Sequence, residues 1–385
     1  MSSSRSPRAG SACRPSRVCA AIWLIGAVAS LGAQTAAGGL ERIAAEGHAR
    51  SGAPGMSVAV VVDDRIAWSA GFGLADVEHG VPARADTVYR IASISKPVAA
   101  TAVMQLVERG RVDLDAPVQR YVPAFPAKGE QTVTVRHLMT HTSGIRHYRD
   151  GEMESRDTYE TVADALRIFK DDPLLFAPGT RYSYSTYAYN LLAGVVEAAS
   201  GLSFEEYLRA QVWAPAGMAA TYFDHVSAIV PKRARQYLRA GSSWRNAPYA
   251  DLSNKWAGGG MLSTAGDLAR FHIALDEGRL LKPSTLTEMY TPFKLADGTT
   301  TSYGLGWSVS ADGRGRTWVA HSGGATGGTT YLLRDPARRV AVAILCNVQN
   351  APDLRALAIR LADQARPPKG SDQGPTPLHA ATQGV

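Results

Sequence analysis

The sequence predicts an α/β chain of the α+β kind: one antiparallel sheet drawn from both chain ends, flanked by helices, with a mostly helical insertion in between. Three observations carry that reading. Early on, Met56-Ser-Val-Ala-Val-Val-Val62 and Arg65-Ile-Ala-Trp-Ser-Ala-Gly71 are β-rich runs joined by Asp63-Asp64, a hairpin signal. Late in the chain, strand character returns in Tyr303–Val309, Thr317–Ala320, Thr329–Leu333 and Val340–Leu345. From Asp113 to about Pro283 the chain reads mainly as helix.

In chain order, a helix starts near Gly39, runs through Leu40-Glu-Arg-Ile-Ala-Ala and ends in the turn Ser51-Gly-Ala-Pro-Gly55. The early hairpin follows. A second helix begins around Ser93 and continues through Ala99 to Glu108, with Gly110 as its stop. Inside the insertion, an apolar helix spans about Leu191 to Ala199, and Thr264 with Asp267 suits a helix N-cap followed by a first-turn acid. The late strands come next, and a last helix spans Asp353 to Gln364. The division is a leader over 1–37, one domain over 38–365 with the insertion at about 113–283, and a Pro-, Gly- and Gln-rich tail over 366–385 expected to be disordered.

The 385 residues, 45% of them hydrophobic, can bury a sizeable core. The net charge of +7 suggests a nucleic-acid binder. Four of the arginines, Arg5, Arg8, Arg14 and Arg17, lie in a leader with no acidic residue, and without them the charge is about +3. No basic run is interleaved with aromatics, so no nucleic-acid partner is expected. The leader itself, with basic residues to Arg17, an apolar stretch from Val18 to Leu31 and small residues around Ala33 and Ala37, has the layout of a secretory signal. Export to the periplasm or the extracellular space is the expectation, with a mitochondrial transit peptide as the alternative. Membrane contact would come only through an uncleaved leader. Cys13 and Cys19 fall in the leader, and Cys346, in Val340-Ala-Val-Ala-Ile-Leu-Cys346, reads as a small buried hydrophobe.

The chemistry begins at Arg90-Ile-Ala-Ser93-Ile-Ser-Lys96-Pro97. A serine hydroxyl is a poor nucleophile at neutral pH because its proton must leave as it attacks, so a base has to lie within hydrogen-bond reach. Three residues on, a lysine on the same helical face meets that need. The positive end of the helix and burial both push Lys96 towards the neutral amine. A four-residue pattern of this kind arises by chance roughly once in a chain this long, so its context matters.

Two further motifs supply the context. Phe176-Ala-Pro-Gly179-Thr-Arg-Tyr-Ser-Tyr184-Ser185-Thr186 precedes an apolar helix, and Val319-Ala-His321-Ser322-Gly323-Gly324 ends a strand. With Ser93-x-x-Lys96 they resemble, in order, the S-x-x-K, Y-x-N and K-T-G signatures of the serine β-lactamase and penicillin-binding-protein superfamily. The resemblance spans roughly residues 40 to 365 and is nearest the class C β-lactamases with their esterase and D-peptidase relatives. His137-Leu-Met-Thr-His141-Thr-Ser143-Gly144 and Trp256-Ala-Gly258-Gly259-Gly260 extend it, and Gly144-Ile-Arg-His-Tyr148 and Lys255-Trp-Ala-Gly-Gly-Gly260 look like a mitochondrial β-lactamase-like subgroup.

The resemblance implies a β-lactamase/transpeptidase-like fold and a serine hydrolase working through an acyl-enzyme, with no metal and no cofactor. Ser93 would attack, Lys96 would take its proton, and Tyr184 would pass protons to the leaving group and from the deacylating water. The main-chain N–H groups of Ser93 and Gly324 would form the oxyanion hole, and His321, Ser322, Gly323 and Thr186 would contact the substrate. Two departures bear on that substrate. His321 replaces the lysine of K-T-G and is only partly charged near neutrality, and Thr186 replaces an asparagine amide. Both turn the expectation from β-lactams towards an amide or ester substrate of a peptidase or esterase. A D-Ala-D-Ala carboxypeptidase and a β-lactamase are the alternatives. From another class, the mitochondrial subgroup suggests a filament-forming assembly protein, and so a homo-oligomer.

Other residues have plainer readings. His137 and His141 share the i, i+4 spacing of zinc ligands but lack the intervening glutamate, and structural bonds around the Ser143-Gly144 turn are expected instead. Tyr182, Tyr187 and Tyr189 read as packing or rim aromatics. Trp256 is a candidate for the cleft wall, and Gly258–Gly260 for a loop packed tightly against the site.

Overall fold

The computed structural model describes Met1, residues 37–313 and residues 315–367. The leader and nearly all of the tail lie outside the described residues. Helix α1 covers 37–51. Strands β1 (Gly55–Val62) and β2 (Arg65–Asp76) form the expected hairpin, and Asp63 and Asp64 both take positive φ, 47° and 58°. Two consecutive left-handed residues match the twist of the strands they join, and Asp tolerates that region better than most side chains.

The main sheet has seven antiparallel strands in the order β3 (Val81–Pro82), β2, β1, β7 (Val340–Cys346), β6 (Gly328–Asp335), β5 (Thr317–Ala325) and β4 (Ser308–Ala311). The junction of the two chain ends is the β1–β7 pair, from Met56 opposite Cys346 to Val62 opposite Val340. Both strands are buried almost throughout, because helices cover both faces of the sheet. Val58, Val60, Val342 and Ile344 face α1 and the last helix, α7 (Leu354–Ala365). Their sequence neighbours Ala59, Val61, Ala341, Ala343 and Leu345 join the larger core on the other side. Each fully buried Val, Ile or Leu of this kind contributes about 1.5–3 kcal/mol. Cys346 is a buried free thiol in that sheet, as its sequence suggested.

On the larger side lie α2 (Ser95–Glu108), α3 (Thr186–Ser200), α4 (Trp256–Gly259), α5 (Ala265–Asp276) and α6 (Pro283–Met289). Thr264 caps α5 by accepting from the Asp267 N–H. One expectation is refined and one corrected. The mostly helical segment 113–283 also contains short strands: Tyr237–Ala240 pairs with Ser243–Asn246 in a hairpin, and Met261–Ser263 pairs with Tyr222–Phe223 and with Tyr89–Arg90 from before the segment. The late strand starts at Ser308 and not at Tyr303, because Gly306 at φ 88° turns the chain just before it. No helix among the described residues is long and apolar enough to cross a membrane.

Candidate active site

Ser93 lies in a single 3₁₀ turn, Ala92–Ile94, immediately before α2. Ala92 sits at φ 50°, a left-handed conformation that costs an alanine on the order of 1 kcal/mol and has to be held by its surroundings. Both flanks are held. Thr330 on β6 donates its hydroxyl to the Ile91 carbonyl at 3.0 Å. The buried Arg90 pairs with Asp224 at 2.7 Å and donates to the carbonyls of Thr326 and Ala250, both at 3.0 Å. Gly323 of β5 backs onto the same turn, and a methyl group there would collide with Thr330 Oγ1 and the Ile91 carbonyl.

Lys96 is fully buried one helical turn on, with Nζ 3.1 Å from Ser93 Oγ, 3.2 Å from Thr186 Oγ1 and 2.6 Å from the Gly258 carbonyl. Burial, reinforced by the nearby Lys255 charge, holds its amine well below the ordinary lysine range. A neutral amine has two protons and one lone pair. The Gly258 carbonyl and the Thr186 hydroxyl take the protons, which leaves the lone pair for the Ser93 hydroxyl. Gly258 has to be glycine, because a Cβ would come within 2.7 Å of the Thr186 carbonyl oxygen and overlap its methyl group.

Tyr184 presents its ring to Lys96, whose Nζ lies 4.6 Å from the ring centroid. Burial pushes the phenol well above its ordinary value, while a bond from Ser93 pulls the other way, so Tyr184 rests as a neutral phenol. The other tyrosines of the motif have separate duties. Tyr187 donates to Glu152 at 2.9 Å and stacks on Phe169, Tyr189 donates to the Met139 carbonyl at 2.8 Å, and Tyr182 stands at the rim.

The open space beside these groups is a cleft of about 430 Å³ lined by Ser93, Tyr184, His321, Ser322 and Gly324 of the expected residues. His147, Tyr182, Ser302, Tyr303 and Ser308 complete it. Strand β5 pairs with β4 only as far as Ala320, so from His321 onward that edge has no strand partner among the described residues. Side chains alternate there: Ser322 and Gly324 point outward, and Gly323 points back.

Several expectations change. Thr186 is buried behind Lys96 and holds the amine without lining the cleft. His321 is not a partly charged residue free to grip a carboxylate. Burial, with repulsion from Lys96 whenever that amine is protonated, lowers its pKa to about 3. Its Nδ1 lies 2.7 Å from the Ser322 carbonyl, which can only accept, so the proton is on Nδ1 and Nε2 accepts from Tyr303 at 2.8 Å. His137 and His141 serve places other than the Ser143 turn. His137 Nδ1 accepts from the Thr134 N–H in a helix cap, and His141 Nδ1 accepts from the Ser185 N–H at the start of α3. Trp256 packs on Phe223 in a separate recess.

Sequence reasoning passed over His147 and Tyr303 as site residues. His147 lies two residues beyond Ile145 in a stretch already noted, and Tyr303 opened a predicted strand. No spacing signal separates either from the packing aromatics around it.

The chain is 33% identical over 418 residues to the human serine beta-lactamase-like protein LACTB, mitochondrial, a match covering 81% of this chain and 76% of that one. The structure of the octameric penicillin-binding protein homologue from Pyrococcus abyssi is similar with a TM-score of 0.74 and 29% identity, covering 85% of this chain and 76% of that chain. A D-amino acid amidase from Ochrobactrum anthropi SV3 is similar with a TM-score of 0.75 and 26% identity, over 86% and 98% of the two chains. With the Beta-lactamase family model matching residues 40–366, the chain belongs to the beta-lactamase family.

Proposed function

We propose that this protein is a serine hydrolase that cleaves an amide or ester through an acyl-enzyme on Ser93. The observation that carries the reading is the fully buried Lys96 amine 3.1 Å from Ser93 Oγ, held by the Gly258 carbonyl and the Thr186 hydroxyl. Ser93 Oγ bonds to the substrate carbonyl carbon as its proton passes to Lys96. The main-chain N–H groups of Ser93 and Gly324 stabilise the oxyanion. The carbon–leaving-group bond then breaks, and Tyr184 protonates the departing atom and regains a proton from the Lys96 ammonium close to its ring. Water then attacks the acyl carbon as Tyr184 takes its proton and passes its own to the neutral Lys96; the bond to Ser93 Oγ breaks, and the Lys96 ammonium returns a proton to Ser93 as the acid product leaves. No step uses a metal or an organic cofactor.

Peptidase or esterase activity ranks first within this class. A neutral His321 offers a substrate carboxylate no charge, which disfavours D-Ala-D-Ala carboxypeptidase and β-lactamase action. Fluorophosphonate labelling followed by mapping of the modified residue tests the mechanism: Ser93 should carry the label, and modification elsewhere overturns it.

The proposal includes a leader over 1–37, a hydrolase domain over 38–365 and a tail over 366–385. Delivery is to the exported compartment or, as the naming of the human relative supports, to mitochondria. Self-association belongs to the reading too, supported by the octameric Pyrococcus abyssi relative, and sedimentation of the purified protein tests it.

A further inference from the structure

Two buried asparagines behind the cleft have no part in the mechanism. Helix α3 carries Thr186 and, four residues on, Asn190 on one face. Asn190 is fully buried and donates its Nδ2–H to the main-chain carbonyl of Asn254 at 2.7 Å. A carbonyl can only accept, so the Asn190 amide is set with its nitrogen towards it. Asn254 in turn lies four residues before Gly258, whose own carbonyl accepts from Lys96 at 2.6 Å.

The segment 254–258 is held from the other side as well. Asn254 donates its side-chain N–H to the Glu152 carbonyl at 2.6 Å, and Lys255 donates to the Met153 carbonyl at 2.7 Å. Those carbonyls belong to the 3₁₀ turn Glu152–Glu154, which Arg146 fixes through two bonds to the Glu152 carboxylate, 2.7 and 3.0 Å long. The segment is thus wedged between that turn and α3, and it meets α3 at two points one helical turn apart. Gly258 packs against Thr186, and the Asn254 carbonyl bonds to Asn190. One contact would let the segment pivot. Two fix the direction in which the Gly258 carbonyl points. The amide oxygens of Asn190 and Asn254 have no hydrogen-bond partner among the described residues. A half-satisfied buried amide is a poor stabilising device, and an apolar residue of similar size would cost the fold less.

We propose that Asn190 is a positioning residue for the base: by fixing the Asn254 carbonyl it aims the Gly258 carbonyl at the Lys96 amine, so that the Lys96 lone pair stays turned to Ser93. Asn190 itself touches neither the cleft nor the reacting atoms. A carbonyl beside an amine also favours the ammonium form, so the same contact sets the pH at which Lys96 becomes a base.

The inference rests on the acyl-enzyme reading of Ser93. Its test follows the rate of fluorophosphonate labelling against pH in the wild type, Asn190→Leu and Asn190→Ala. Asn190→Leu keeps the volume, and Asn190→Ala avoids any clash. Rates are taken per competent serine, from the fraction labelled at saturation, so partial unfolding drops out. In both variants the plateau rate at high pH should fall about 10-fold or more, because the base is misaligned. The acidic limb should move to lower pH, because the ammonium has lost an acceptor. The ionisable groups facing Lys96 are Lys255, Tyr184, Tyr189, His141, His147 and His321, and the substitutions remove none of them. The sign of the shift excludes a mere disturbance of Lys255: were that cation to move away, Lys96 would hold its proton more tightly and the limb would move up. A plateau equal to wild type, or a limb that stays in place or moves up, overturns the proposal. A lowered denaturation midpoint with wild-type rates per serine also overturns it, since Asn190 would then serve the fold alone. Labelling of the wild type separates the two readings: label on Ser93 with unaltered variant kinetics removes only the role of Asn190, whereas no label on Ser93 removes both.

Discussion

Tyr303 donates its phenolic hydrogen to Nε2 of His321 across 2.8 Å, and through that bond the third motif becomes a neutral element of the cleft wall. Removing the donor leaves a buried ring nitrogen unpaired. Tyr303→Phe should destabilise the protein by about 1–3 kcal/mol, read as a lowered denaturation midpoint. A midpoint equal to wild type would show that the bond contributes nothing.

Lys255 is one cause of the low Lys96 pKa, since two buried cations repel. Without it, Lys96 holds its proton more tightly and is neutral only at higher pH. Lys255→Met should therefore move the acidic limb of the Ser93 labelling rate upward in pH, leaving the limiting rate at high pH closer to wild type. A limb that stays in place or moves down would contradict the coupling.

Gly258→Ala tests the clamp on Lys96. A Cβ at that position would come within 2.7 Å of the Thr186 carbonyl oxygen, so the backbone must shift and carry with it the carbonyl that holds the amine. About 1–3 kcal/mol of stability should be lost. Labelling should slow by a larger factor than Gly259→Ala causes, since a Cβ at Gly259 meets nothing nearer than 3.4 Å.

Three buried histidines and one half-buried one, His147, make the fold acid-sensitive. Burial lowers His321 to about 3 and His147 to about 4, and holds His141 and His272 well below the ordinary 6.5. Each is neutral when folded and gains a proton when unfolded below about pH 6.5, so the unfolded chain binds more protons and stability falls with falling pH. The full contribution is present above pH 6.5. Below it, each histidine removes up to about 1.4 kcal/mol per pH unit until its folded pKa is reached. His272, with both ring nitrogens unpartnered, gives the cleanest test: urea unfolding from pH 7.5 to 4.5 should show a shallower loss in His272→Leu than in wild type.

Periodicity alone made much of this fold legible. The hairpin at Asp63-Asp64, the β1 and β7 runs, α2 and α7 all follow from local pattern, and Ser93-x-x-Lys96 from the geometry of one helical turn. What stayed hidden depends on contacts between distant segments. Thr186 shows only in three dimensions that its hydroxyl turns to Lys96, 90 residues away. The charge on His321 could not be settled before Tyr303 and Ser322 were seen to occupy both its nitrogens. The 113–283 segment reads as helix because two long helices, Thr186–Ser200 and Ala265–Asp276, carry its clearest periodicity and its strands are only two to four residues, too short for a period of two to register.

The pairing of β1 with β7 gives the order of synthesis a chemical consequence. Ser93 leaves the ribosome early, yet the turn that presents it is fixed by Thr330 and by the carbonyl of Thr326, more than 200 residues later. Non-local pairing of this kind folds slowly and only once both partners exist. A nascent chain, or one cut short before β6, therefore carries its serine and lysine without the strand that sets them, so under the proposed mechanism the ability to react with acyl groups arrives only once β6 has been made.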